Sequence, residues 1–188
     1  MRRLESLAGA RAPIESRLDM WKAESEFITD AEKKIGECLP LFGHRNWIVV
    51  TDSAYPAQSK PGIETVVMDA NHMHVVGRVF NAISAQRHVK AKVYVDKELA
   101  FVAERDAPGV LDYRRELDAL SAGNAVTHLP HEQIIHKLDQ AAEMFRVLIV
   151  KTDGTIPYTS VFFELDCEYW NADAEQRLRQ AMLVAETE

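Results

Sequence analysis

The chain has 188 residues and a formal net charge of -7, with 47% apolar and 27% charged residues. Those proportions belong to a folded globular chain, and the length suits one domain. No apolar run approaches the roughly 20 residues of a membrane span. The opening stretch Met1–Leu18 mixes charged and apolar residues too evenly for a secretory leader. An acidic balance without a Lys/Arg cluster argues against a nucleic-acid surface. Cys38 and Cys167 lie far apart and make neither a CxxC pair nor a disulfide framework, so a reducing cytoplasm is the expected compartment.

The predicted elements alternate between helices and strands. Residues 1–12 read as a loose or partner-docked arm, and Pro13 suits the first turn of a helix. Ile14, Leu18 and Trp21, then Ile28, Ala31 and Ile35, recur at helical spacing, and this helix or helix pair ends near Cys38-Leu39-Pro40. Asn46–Thr51 is a short apolar run of the kind that forms a buried strand. Asp52–Pro56 is the loop after it. Glu64–Met68 is a second strand, His74–Ile83 a helix and Val89–Val95 a third strand. Pro108 opens a helix with Val110, Tyr113, Leu117 and Leu120 on one face, and Gly123 stands where a C-cap glycine belongs.

Ala125–His128 is a short strand, Pro130–Ala142 a helix and Phe145–Lys151 a strand. Thr152–Thr155 is a turn and Tyr158–Leu165 the last strand. Asn171 caps a final helix carrying Ala174, Leu178, Ala181 and Met182. Strands alternating with helices predict a three-layer α/β/α domain around a mixed sheet.

In open α/β sheets ligands collect beyond the carboxyl ends of strands. Asp52 stands there, directly after the first buried strand. His44 stands before the same strand, so a straight strand would separate the two by about 20–25 Å. They meet only if the chain bends back or across a subunit interface; otherwise they are a loop histidine and a turn aspartate. His128, His131 and His136 are ligand types that zinc uses. On a helix, however, i and i+5 do not share a face, and no HExxH is present. His72 and His74 read as a pair at a helix start. Tyr158, after Pro157, offers a hydroxyl at a strand mouth, or simple aromatic packing. There is no GxGxxG, Walker loop or GxSxG elbow, so nucleotide and α/β-hydrolase chemistry lack their signals.

Three segments together resemble the ribose pyranase / fucose mutarotase family. The first runs from Phe42-Gly43-His44-Arg45-Asn46 to Thr51-Asp52-Ser53-Ala54-Tyr55-Pro56, and its continuation through Ala57-Gln58-Ser59 is nearer the fucose mutarotase branch. The second is His131-Glu132-Gln133. The third is Pro157-Tyr158-Thr159-Ser160. The resemblance covers roughly residues 38–166. It leaves an N-terminal helical extension over 1–37 and a C-terminal helical extension over 167–188 within one domain. Ser160 departs from the family pattern, which has Asn there.

The resemblance implies a ribose pyranase-like fold and a monosaccharide mutarotase or pyranase, an isomerase of anomers or ring forms of a free fucose- or ribose-like sugar. It implies no metal and no other cofactor, and a homo-oligomer with its site between neighbouring subunits. Carried onto this sequence, it assigns His44 as principal acid/base. Asp52 orients that imidazole or binds a hydroxyl, and Tyr158 is a catalytic residue that sits near the anomeric centre and relays a proton. His131, Ser160 and Tyr55 are sugar contacts. Trp47 is either an apolar sugar face or core. The competing expectation is a non-catalytic monosaccharide-binding or regulatory protein of the same fold, which the Asn-to-Ser change favours.

Overall fold

A computed structural model describes residues 30–122 and 125–185. The expected arm, the helix from Pro13 with Trp21, and the Gly123 cap lie outside the described residues. The elements are α1 (Asp30–Cys38), β1 (Trp47–Thr51), β2 (Ile63–Val67), α2 (His72–Ser84) and β3 (Val89–Asp96). A 3-10 turn (Lys97–Phe101) and α3 (Val110–Leu120) follow, then β4 (Val126–Leu129), α4 (His131–Ala141), β5 (Val147–Lys151), β6 (Val161–Cys167) and α5 (Ala172–Ala185).

The unbroken apolar runs of β1 and β5 have a direct consequence: both faces of these strands must be covered. Side chains alternate across the sheet, so Ile48, Val50, Leu148 and Val150 enter one core. Trp47, Val49, Val147 and Ile149 enter the other. On β6, Val161, Phe163 and Leu165 join the first core and Phe162 the second. The first core is closed by Ala31 and Ile35 of α1, Val75, Val76 and Val79 of α2, and Val110, Tyr113 and Leu117 of α3. Ile134 and Leu138 of α4 close the second. The result is the three-layer α/β/α arrangement around a mixed sheet, as expected.

The six strands are ordered β2-β5-β1-β6-β3-β4. β1, β5 and β2 run parallel, as do β3 and β4. β6 lies between β1 and β3 and is antiparallel to both. Five strands therefore end at one edge of the sheet, and β6 enters from that edge.

Most element starts fall within two residues of expectation, and two of the differences have a backbone cause. The helix expected to open at Pro108 begins at Val110, because Gly109 adopts the left-handed φ of 93° at its N-cap. The last strand begins at Val161 rather than Tyr158, because Tyr158 is turned into the left-handed region at φ 59° and cannot join the ladder. Asn171 does cap α5, its Oδ1 accepting from Ala174 N–H at 2.8 Å. No residue of α5 is buried, so the Leu178/Met182 stripe does not close this chain's core.

Phe162 is fully buried at the centre of the sheet. Phe162→Ala is expected to cost about 3–5 kcal/mol, through lost transfer energy and the cavity left behind. Urea unfolding, with an unchanged slope and a lowered midpoint, is the measurement.

Candidate functional site

The common edge gathers the ends of β1, β3, β4 and β5 and the start of β6, and a cleft of about 550 Å³ opens there. Asp52, Tyr55, Asp96, His131, Tyr158 and Ser160 are among the residues lining it. Five of these were candidates from the sequence; Asp96 was not.

Each side chain is held by local chemistry. Asp52 Oδ1 accepts from Ala54 N–H at 2.8 Å, an Asx-type turn that fixes the carboxylate at the mouth of β1. Tyr55 is buried against the core beneath α4 as well as lining the cleft. Burial pushes its hydroxyl up to about 12, with the carboxylate of Asp139 next in effect, so it stays protonated at neutral pH. Ser160 is buried immediately before β6. Tyr158 is partly exposed at the rim. A left-handed backbone on a residue with a Cβ costs about 1–3 kcal/mol.

The turn is fastened through the next residue. The Thr159 carbonyl accepts from Tyr113 O–H at 2.7 Å and from His72 Nε2–H at 2.9 Å. The other imidazole nitrogen, Nδ1, lies 2.7 Å from Thr152 Oγ1. Burial lowers the His72 pKa, against the opposing bond to the Thr159 carbonyl, so the ring is neutral, and the one Thr152 hydroxyl proton is shared between Nδ1 and the Thr51 carbonyl 2.9 Å away. The expected helix-start pair His72/His74 is therefore half structural: His72 braces the Tyr158 turn, and Asn71 accepts from His74 N–H at 3.1 Å to cap α2.

Two carboxylates at the end of β3 face His131. Glu98 Oε1 and Oε2 accept from the His131 backbone N–H at 3.1 and 3.0 Å, a negative group at the start of α4. Asp96 Oδ1 lies 3.1 Å from His131 Nδ1. Neither oxygen of this 1%-exposed carboxylate makes a hydrogen bond to the described residues. Burial pushes the Asp96 carboxyl up to about 6, opposed by the neighbouring imidazole. The His131 ring meets the Tyr158 ring edge-on, with centroids 5.8 Å apart.

Among the described residues no Lys or Arg lines the cleft, while Asp52, Asp96 and Glu132 do. Nothing there pairs with a phosphate or carboxylate. The wall instead presents carboxylates, an imidazole and hydroxyls, which suits an uncharged polyol.

His44 is not in this cleft. It lines a separate cavity of about 630 Å³ at the opposite sheet edge, with Asp166, Cys167 and Trp170 among its neighbours. The chain does not bend back, so Asp52 does not orient His44 of its own subunit. Trp47 stacks on Tyr94 at 5.7 Å inside the core and is no sugar platform. His128 and His136 face solvent while His131 lines the cleft. Among the described residues no group of three His, Cys, Asp or Glu side chains is placed to hold a metal ion. No helix among them is long and apolar enough to cross a membrane.

Sequence reasoning missed Asp96, Glu98 and the His72/Tyr113 brace. Asp96 carried a usable signal, since an aspartate ending an apolar-alternating strand obeys the same rule that singled out Asp52.

Residues 31–167 match the family described as the RbsD / FucU transport protein family. Among solved structures, Bacillus subtilis RbsD complexed with D-ribose aligns with a TM-score of 0.50 at 16% identity, covering 74% of this chain and 94% of that one. The fucose mutarotase from Streptococcus pneumoniae in complex with L-fucose aligns with a TM-score of 0.48 at 18% identity, covering 77% and 97%. No curated protein matches the chain.

The raised Asp96 pKa has a sign for stability. The folded state binds this proton more tightly than the unfolded state, so the fold is favoured below about pH 4 and loses that contribution as pH rises through about 6. Asp96→Asn removes the loss. It is expected to stabilise the protein by up to about 3 kcal/mol at about pH 8, with the gain vanishing towards pH 4. Thermal unfolding at both pH values checks this; a variant less stable than the parent at alkaline pH contradicts it.

Proposed function

The chain belongs to the RbsD / FucU transport protein family, and we propose that it interconverts ring forms or anomers of a free monosaccharide by acid/base ring opening. The observation that carries this reading is the cleft itself. It brings Asp52, His131, Tyr158 and Ser160 together, with no Lys or Arg among the described residues that line it to select a charged sugar. The D-ribose of the Bacillus subtilis structure makes a pentose, beside a deoxyhexose such as fucose, the first sugar to test.

The reaction needs few parts. A base takes the proton from the anomeric hydroxyl, the ring C–O bond breaks as the carbonyl forms, and an acid protonates the ring oxygen. Rotation about the C1–C2 bond before closure exchanges anomers; closure by a different hydroxyl exchanges ring size. Each positioned acid or base contributes about 10²–10⁴-fold. Asp52 and Ser160 bind hydroxyls, and Tyr158 lies near the anomeric centre.

His44 remains the principal acid/base in this reading, but only if a second copy of the chain presents it. A homo-oligomer that sets the His44 edge of one subunit against the cleft of the next completes the site. Soluble action on a free sugar in the cytoplasm follows from the same reading.

Three outcomes are expected. His44→Ala lowers sugar exchange, followed by NMR saturation transfer, by about 10²-fold with unchanged circular dichroism. Mixing inactive His44→Ala with inactive Asp52→Asn after co-refolding restores exchange at about a quarter of the sites, since subunits assort at random around shared interfaces. No recovery, together with a monomer in light scattering, sinks the shared site. Chelation of divalent metals leaves the rate unchanged; loss of activity with about one released zinc per chain contradicts the metal-free reading.

A second reading keeps the pocket without turnover. Ser160, buried where the resemblance has an amide, offers a shorter hydroxyl to the ligand. Sugar binding by calorimetry without faster exchange selects that reading.

A further inference from the structure

Asp96 is an anomaly that ring opening, as derived above, leaves unused. A buried carboxylate without a hydrogen bond is costly, by several kcal/mol when ionised. Here the cost is incurred at the end of a core strand, against the one imidazole in the cleft. Its groups on all sides are His131 of α4, Glu98 of the 3-10 turn, Asp52 after β1, Tyr55 of the following loop and Tyr113 of α3. Among these described groups, His131 is the one that can carry a positive charge.

The imidazole is held in a particular way. Its backbone N–H is tied to Glu98, and its Nδ1 is buried facing Asp96 at 3.1 Å. The ring as a whole is 30% exposed and lines the cleft, which leaves Nε2 as the nitrogen available to a ligand. A carboxylate behind Nδ1 keeps the proton on that nitrogen and stabilises the imidazolium that forms when Nε2 takes a second proton. Contacts of this kind are often poorly aligned in a ligand-free enzyme and tighten with substrate.

We propose that Asp96 is a positioning residue that holds His131 as a second acid/base over the cleft, with Nδ1–H towards the carboxylate and Nε2 towards the anomeric hydroxyl of the sugar. This rests on the ring-opening reading. In the forward step Nε2 takes the proton of the anomeric hydroxyl. The freed electron pair forms the carbonyl as the ring C–O bond breaks, and the ring oxygen takes a proton from His44 of a second copy. Closure runs the same transfers in reverse. His131 is thereby a base and not only a sugar contact.

Long-range ¹⁵N–¹H NMR of the full chain at alkaline pH reads the His131 tautomer without any substrate. Nδ1–H is expected in the parent and a shift towards Nε2–H in Asp96→Asn. In sugar exchange, Asp96→Asn is expected to lower kcat by about 10²-fold or more with KM within about threefold, and to displace the limb of the pH profile near 6. In a His131→Gln background the same substitution is expected to add almost nothing, because the two side chains act as one unit. An Nε2–H tautomer in the parent, or an Asp96→Asn variant with the parent's rate and pH profile, overturns the proposal. A parent that exchanges no sugar removes the ring-opening reading, while the tautomer still decides whether Asp96 holds His131. If Asp96→Asn does not fold, the parent's tautomer decides.

Discussion

The antiparallel insertion of β6 between β1 and β3 is the constraint on which the rest depends. It lets two parallel units, β2-β5-β1 and β3-β4, share one sheet with all their carboxyl ends at the same edge. Because β6 starts where the other strands finish, the turn before it carries Tyr158 and Ser160 to that edge too. The acidic ends of β1 and β3, the first residue of α4 and the turn before β6 then converge without any long excursion of the chain. The same geometry sends His44, which precedes β1, to the far edge beside the end of β6.

That convergence is maintained by polar groups in places where polar groups are expensive. The left-handed Tyr158 turn is braced from beneath by Tyr113 and a neutral His72, both bonded to one carbonyl. These bonds satisfy buried groups and hold a strained backbone at once. Asp96 is the opposite case, a buried carboxylate left without a hydrogen bond. The first arrangement gives rigidity to the rim. The second puts chemical potential behind His131, and its cost is a fold whose stability falls as the carboxyl ionises.

The cleft with Asp52 and His131 and the cavity with His44 lie at opposite edges of the sheet. Head-to-tail contact between copies joins such unlike edges and closes into a ring when the rotation allows. Leu178 and Met182 are exposed apolar residues on α5, whose first turn lines the His44 cavity.

The alternation of helices and strands was legible from periodicity, and with it the three-layer class, because burying both faces of β1 and β5 demands continuous apolar runs that no surface strand carries. Asp52 was legible as a strand-end carboxylate, and the motifs around His44, His131 and Tyr158 carried the family resemblance. The strand order was not legible. Nothing in the local composition of Val161–Cys167 says that it runs against its neighbours, since pairing direction is set by which edges remain free once the sheet assembles. Tyr158 read as the start of a strand because φ has no signature in a Pro-Tyr-Thr sequence. Asp96, just past the expected strand Val89–Val95, drew no reading because α4, which it faces, arrives some thirty-five residues later in the chain. The sequence by itself determined which segments are helix or strand, which faces are apolar and which residues have suitable chemistry. Only the tertiary structure decided which of those residues meet, because proximity across a sheet edge depends on strand direction and order, and neither is encoded within any single segment.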